Sequence, residues 1–179
     1  ISLQELSQKT SSTLNYGQLL NIVAGNATKL VHGSSCALMM PDDKGRYFRI
    51  AASRGYEKIN TDLIRIPANR SICGFVAASG KPTWVEDTSL ESAYVAILSG
   101  VRSQLYVPLV SNKRILGVIR VDRNSKKQFS SDDQEVLEIF AGHASALVEN
   151  ALLYEQILEQ RNLAQNILES APNGILTID

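Results

Sequence analysis

Residues 104–122 read QLYVPLVSNKRILGVIRVD, and this stretch decides the fold. Two strongly apolar runs, Gln104 to Val110 and Ile115 to Asp122, flank the turn Ser111-Asn112-Lys113-Arg114. A short polar turn between two such runs reads as a pair of adjacent strands. Upstream, Ser35 to Met40 (SCALMM) is a buried strand by composition, and Pro41-Asp42-Asp43-Lys44-Gly45 is a turn. Arg46 to Ser53 alternates Phe48, Ile50 and Ala52 with Tyr47, Arg49 and Ala51, as a hairpin partner does. Further strands are expected at Asp62 to Ile66, stopped by Pro67, and at Thr83 to Val85. Consecutive strands with short turns imply an antiparallel sheet, and the helices stand apart from them, so the fold class is α+β.

The helical signals surround this sheet. Residues 2–14 (SLQELSQKTSSTL) form a short amphipathic stretch, broken by Asn15-Tyr16-Gly17. Residues 17–31 place Leu19, Leu20, Ile22, Val23, Ala27, Leu30 and Val31 on a core-facing helix that stops at His32-Gly33. Ser71 to Ser79 reads as a short helix capped by Ser71 and ended by Gly80. Glu86 to Gly100 reads as a loop containing a short helix (ESAYVAILS).

From Ser130 to about Ser170 the chain has no proline and one glycine, Gly142. Ser130 and Ser131 cap a long helix here, and Asp132 and Asp133 suit its positive end. Steps of three and four from Leu137 give Phe140, Ala144, Leu147, Ala151, Tyr154, Leu158, Arg161, Gln165 and Leu168. Eight of these ten positions are apolar or aromatic, the pattern of a two-helix seam. The expectation is a helix that closes the domain up to about Asn150 and then runs on from Ala151 as a rod pairing with a second copy.

Composition narrows the function classes. Equal numbers of acidic and basic residues give zero net charge, which argues against nucleic acid as a partner. No run of 18 apolar residues occurs, so no membrane segment is expected. Cys36 and Cys73 form no CxxC pair, which fits the reducing cytosol and a cytoplasmic location. His32 and His143 have no close-spaced metal-ligand partner, and no catalytic signature or metal site is expected.

Three segments in order carry a resemblance: ANRSICGFVAASGKPTWVED, GVRSQLYVPLVSNKRILGVIRVDR and FSSDDQEVLEIFAGHASALVENALLYEQ. Together they resemble a GAF domain, the small-molecule sensor module of signalling proteins. The tail NILESAPNGILTID (residues 166–179) resembles the opening of a PAS domain. The resemblance implies a sensor over residues 1–150, a signalling-helix or coiled-coil linker over 151–170, and a truncated PAS start over 171–179. It implies a six-stranded antiparallel sheet with the N- and C-terminal helices on one face and a ligand pocket on the other.

The implied role is regulatory and non-enzymatic. A small ligand would bind, and the signal would pass through a dimeric helix to a PAS and output domain in the same chain. The parent protein would be a sensor histidine kinase of a two-component system or a nucleotide cyclase. Candidate ligand residues in the implied pocket are Arg70, Ser71, Ile72, Cys73, Trp84, Tyr94, Tyr106 and Arg120. Arg120 alternates with Ile119 and Val121, which also allows it to face water. Candidate residues of a parallel homodimer are Leu137, Phe140, Ala144, Leu147, Ala151, Tyr154, Leu158 and Leu168.

The ligand is not named by these residues. Cyclic-nucleotide binding is one alternative, since Asn124-Ser125-Lys126 and Phe129-x-x-x-Asp133-Gln134 partly match that branch's signature. A bilin is not expected, because neither cysteine precedes a histidine. A dimerisation module without ligand is a second alternative. Thiol-based reduction of a sulfoxide stands last, because Cys36 and Cys73 are not placed like that branch's cysteine set.

Overall fold

A computed structural model describes residues 15–125 and 127–170, with side chains through Ile167. Its strands are β1 (Ser35–Pro41), β2 (Tyr47–Arg54), β3 (Ile66–Pro67), β4 (Thr83–Val85), β5 (Ser103–Ser111) and β6 (Arg114–Arg123). They form one sheet in the order β3-β2-β1-β6-β5-β4, and every neighbouring pair is antiparallel. Helices α1 (Tyr16–Leu30) and α3 (Ser131–Ser170) cover one face, and α2 (Ile72–Ser79) roofs the other. The α+β class and the six-stranded antiparallel sheet are as expected.

Local chemistry sets the element ends. The Asn15 side chain accepts from the Gln18 N–H at 2.8 Å, and the Gln18 side chain accepts from the Asn15 N–H at 3.2 Å. This reciprocal cap satisfies two of the donors that start α1. Ser130 and Asp133 do the same for α3: the Asp133 carboxylate accepts from the Ser130 N–H, and the Ser130 hydroxyl from the Asp133 N–H. In the β5–β6 hairpin Ser111 faces Arg114, so only Asn112 and Lys113 make the turn. Their φ values of 50° and 63° have the handedness that matches the twist of a two-residue hairpin.

The two-residue period of the strands divides the interior. Leu105, Val107 and Leu109 of β5 and Ile119 and Val121 of β6 face the long helices. Leu19, Leu20 and Val23 of α1 and Leu137, Phe140, Ala144 and Val148 of α3 cover them. Each fully buried leucine contributes about 2 kcal/mol by this burial. On the other face, Met39, Phe48, Ile50, Ile72, Val76, Tyr106 and Val118 form a second cluster.

This packing corrects the expected seam. Leu137, Phe140 and Ala144 are buried in their own domain, and half-buried Leu147 and Ala151 pack against the same cluster. The apolar face of the sheet needs cover, and these residues provide it, which leaves Leu137, Phe140 and Ala144 no surface to offer a second chain. Tyr154 and Leu158 remain exposed past the domain, while Leu168 lies beyond the described side chains. A different stripe, offset by one position, is exposed throughout: Val136, Ile139, His143, Ala146, Asn150, Leu153, Ile157, Gln160, Ala164 and Ile167.

By length and composition α3 is apolar enough to cross a membrane, yet its Phe140, Ala141, Ala144 and Val148 are buried against the sheet. Where α3 leaves the domain, Glu149 accepts hydrogen bonds from Ser111 Oγ at 2.5 Å and Asn112 Nδ2 at 2.9 Å. The β5–β6 turn is therefore tied to the helix at that point.

Two further expectations differ from the structure. In place of a strand over Asp62 to Ile66 there is a 3-10 turn, Thr61–Leu63, followed by the two-residue β3. Asn60 caps that turn by accepting from the Asp62 N–H, and Pro67 has no N–H with which to extend the ladder. The Glu86 to Gly100 segment contains no helix. There Asp87 accepts from the Ser89 N–H and Glu91 from the Ala93 N–H, local bonds that compete with a helical backbone. The stretch over residues 2–14 and the PAS-like turn over 171–179 lie outside the described residues.

Candidate functional site

The site lies between the second face of the sheet and α2. Gly74 lets that helix sit close: a Cβ there would stand 1.7 Å from the Ala68 carbonyl oxygen. Ser71 caps α2, accepting from the Gly74 N–H at 3.2 Å while donating to the Pro67 carbonyl at 2.7 Å. Beneath is a cavity of about 10 Å³ lined by Met39, Ile66, Ser71, Ile72, Cys73, Ala93, Val95, Tyr106 and Arg120. That is room for about one water.

The cavity floor is a buried polar cluster. Residues 118, 120 and 122 of β6 alternate onto the pocket face, so Arg120 and Asp122 lie side by side there, 2% and 0% exposed. Asp122 accepts from Ser35 Oγ at 2.8 Å, Tyr56 OH at 2.9 Å and Gln104 Nε2 at 2.6 Å. Arg120 Nη2 lies 3.3 Å from Asp122 Oδ2 and also donates to the Tyr56 hydroxyl oxygen. Tyr106 OH donates to Gln104 Oε1 at 2.6 Å. Arg120 also lies over the Tyr56 ring, 5.7 Å from its centroid.

These contacts set the protonation states. Burial works against the charge on Arg120, but the Asp122 carboxylate together with Tyr56 and Tyr106 outweighs it and pushes the guanidinium pKa above its ordinary value. Tyr56 and Tyr106 are pushed up, chiefly by burial. Burial pushes the Cys73 thiol up to about 12, against a smaller opposing effect of Arg120. A thiol with that pKa stays protonated at neutral pH and is a poor nucleophile. Cys36 belongs to the cluster on the helix face and Cys73 to the pocket face, so the sheet separates the two thiols.

Of the expected ligand residues, the structure brings Ser71, Ile72, Cys73, Tyr106 and Arg120 together around the cavity. Tyr94 is half-buried and feels the charges of Asp122 and Arg120. Arg70 and Trp84 stand elsewhere. Arg70 is exposed and lines an outer groove of about 500 Å³ with Arg46, Tyr47 and Pro67. Trp84, 37% exposed, sits on the short edge strand β4 beside Leu105, which faces the helices. Arg120 does not face water.

Asp122, Tyr56, Gln104 and Ser35 were not among the expected residues. The signal for Asp122 and Gln104 is the two-residue register that they share with Arg120 and Tyr106. Tyr56 and Ser35 reach the cluster from a loop and a neighbouring strand, for which the sequence carries no local signal.

A separate set of contacts lies on the other face. Arg123 donates to the carbonyls of Val31 and Gln128, pairs with Asp133 at 3.4 Å and stacks 4.1 Å over Phe129. Phe129 and Asp133, the partial match to a cyclic-nucleotide signature, here form the entry to α3. His32 and His143 are exposed, and no metal-ligating cluster occurs among the described residues.

Comparison with known proteins agrees with this architecture. The family model for the GAF domain matches residues 13–149. Protein YtsP of Bacillus subtilis is 31% identical over 78 residues, covering 44% of this chain and 48% of that protein. The free methionine-R-sulfoxide reductase of Escherichia coli is 28% identical over 74 residues, covering 41% and 45%. The chain thus matches about half the length of these curated relatives. The GAF domain of a phosphoenolpyruvate-protein phosphotransferase from Coxiella burnetii superposes with a TM-score of 0.74 at 18% identity, covering 86% of this chain and 94% of that one. The buried site is therefore built on a scaffold typical of signalling sensor modules, and the chain belongs to the GAF domain family.

Proposed function

We propose that this chain is a regulatory sensor whose pocket-face cluster reads a small ligand and whose long helix carries the result to an output domain. The observation that supports this reading is the placement of consecutive residues at the end of β6. Asp122 holds the pocket cluster together, and Arg123 joins the end of α1 to the start of α3. A displacement of this strand by a ligand is felt directly at the helix junction. A ligand that binds two helix arrangements with different affinity needs no other device to signal.

The output is a parallel dimer formed through the exposed stripe on α3. Seven of its ten positions are apolar, and Asn150 interrupts it as a buried polar residue does when it fixes the register of paired helices. Downstream, the helix feeds a PAS domain and then a catalytic domain such as a histidine kinase or a cyclase.

The size of the cavity favours a second reading, a dimerisation module whose pocket is filled by its own side chains. Cyclic-nucleotide binding fits less well, since drug-sized ligands occupy pockets of about 300 Å³ or more. Sulfoxide reduction lacks support because the two thiols lie on opposite faces of the sheet.

Cysteine cross-linking tests the output. Leu153→Cys and Ile157→Cys should each give disulfide-linked dimers under mild oxidation, and Asn162→Cys, on the opposite side of the helix, should not. Absence of linkage at both stripe positions would remove the dimer from the proposal. For the input, thermal shift against metabolites and cyclic nucleotides separates sensor from dimerisation module, because only ligands of the native state raise Tm.

A further inference from the structure

We infer that the pocket ligand is a small aliphatic carboxylate, with its head on Arg120 and its tail among Met39, Ile66, Ile72 and Val95. The inference rests on the sensing-pocket reading and specifies what the pocket recognises.

Asp122 receives hydrogen bonds from Ser35, Tyr56, Gln104 and Arg120, so both of its oxygens are occupied. The Tyr56 oxygen accepts from Arg120, the Tyr106 hydroxyl donates to Gln104, and Ser71 is held by its cap. Among the residues around the cavity, what remains unmatched is donor capacity, and it belongs to Arg120. Its Nε lies 3.1 Å from Asp122 Oδ1 but is not aligned for a hydrogen bond. Its Nη1 donates to no described residue. A cation that is 2% exposed, lines a cavity and keeps N–H groups unmatched calls for an acceptor.

Charge and shape narrow the acceptor to a carboxylate. An anionic oxygen accepting from Nη1 makes charge-assisted bonds about twice as strong as neutral ones. Arg120 would then stand between two carboxylates, Asp122 beside Nε and Nη2 and the ligand at Nη1. Met39, Ile66, Ile72, Ala93 and Val95 make the other walls apolar, and the Ser71 and Tyr106 hydroxyls beside them already donate to Pro67 and Gln104, which selects a hydrocarbon tail over a second polar group. The cavity has room for only about one water, so entry displaces the irregular segment from Glu86 to Gly100, which contributes Ala93 and Val95 to the wall.

The chain contains two methionines, which supply the test. Met39 lines the cavity, whereas Met40 belongs to the cluster on the opposite face. Methyl-¹³C-methionine NMR of the whole chain would follow titration with butyrate and with butyramide, its uncharged counterpart. Saturable movement of Met39 with Met40 unmoved is expected for butyrate, with binding at least about tenfold weaker for the amide. Equal binding of the amide would overturn the carboxylate assignment and leave the sensing pocket standing. Silence of Met39 with both compounds would also overturn the assignment, and the wider thermal-shift panel then judges the pocket itself. The comparison uses the unaltered chain, so it does not depend on an Arg120 variant that folds.

Discussion

Asp122 and Arg123 are adjacent in the chain yet serve opposite faces of the sheet. The Asp122 carboxylate lies 2.9 Å from Tyr56 OH in the pocket cluster, while the Arg123 guanidinium lies 3.4 Å from Asp133 at the start of α3. The alternation of a β-strand puts the two clusters one peptide apart without any special loop. Nothing larger than a strand shift is needed to couple them.

Arg123→Met should destabilise the fold by about 3 kcal/mol, through lost hydrogen bonds to Val31 and Gln128 and an Asp133 left without its partner. Asp133→Asn, which keeps a capping side chain, should cost about 1 kcal/mol. The double variant should lose less than the sum, because the two residues interact directly. Urea unfolding of the four proteins measures this cycle, and strict additivity would show the pair to be incidental.

Stability should fall on the alkaline side. The Cys73 thiol is raised from its ordinary value of 9.0 to about 12 by burial, and Cys36 is raised as well. Below the unfolded value both states keep the proton and stability is intact. Above it, the unfolded chain loses a proton that the folded chain holds, at about 1.4 kcal/mol per pH unit for each thiol. Tyr56 and Tyr106, also raised, steepen the loss above their ordinary value of 10.0. Cys73→Ala should flatten the slope between about pH 9 and 10 by one thiol's share. Denaturant midpoints across that range give the slope, and an unchanged value would contradict the assigned burial effect.

Lys113→Gly should stabilise the chain. Lys113 holds φ at 63°, a left-handed conformation that disfavours side chains with a Cβ by about 1 kcal/mol. For a domain of this size that is roughly 3 °C in Tm. Asn112, with φ at 50°, tolerates the same region better and should be kept, because its side chain donates to Glu149. Calorimetry of the two single glycine variants should move Tm in opposite directions.

The sheet was legible because its cues are local. The Ser111-to-Arg114 turn announces the β5–β6 hairpin, and alternation in β2 announces its pairing with β1. The site was legible only in part. Cys73 and Tyr106 follow from the resemblance, but Arg120 next to Ile119 and Val121 gives the same pattern whether its side chain meets water or a buried carboxylate. Asp122 decides that question, and only three-dimensional neighbours such as Tyr56 show it to be buried. Trp84 misleads because a three-residue edge strand gives too little alternation to show that it pairs with Leu105 on the helix face rather than with the pocket residues. On α3 the apolar periodicity is real, but two stripes one position apart share it. The sheet takes the stripe with the larger side chains nearest the domain, and that choice is tertiary.

The bond between Glu149 and the β5–β6 turn has a mechanical consequence. It pins α3 where the helix parts from the domain, so the turn acts as a fulcrum. From Glu149 to Ile167 the helix extends about 27 Å at 1.5 Å per residue. On an arm of that length, a tilt of about 5° at the fulcrum sweeps the far end through roughly 2 Å, comparable to the helix shifts by which known switches operate. A change too small to alter the packing of the sheet is thus enlarged by the time it reaches the end of the arm.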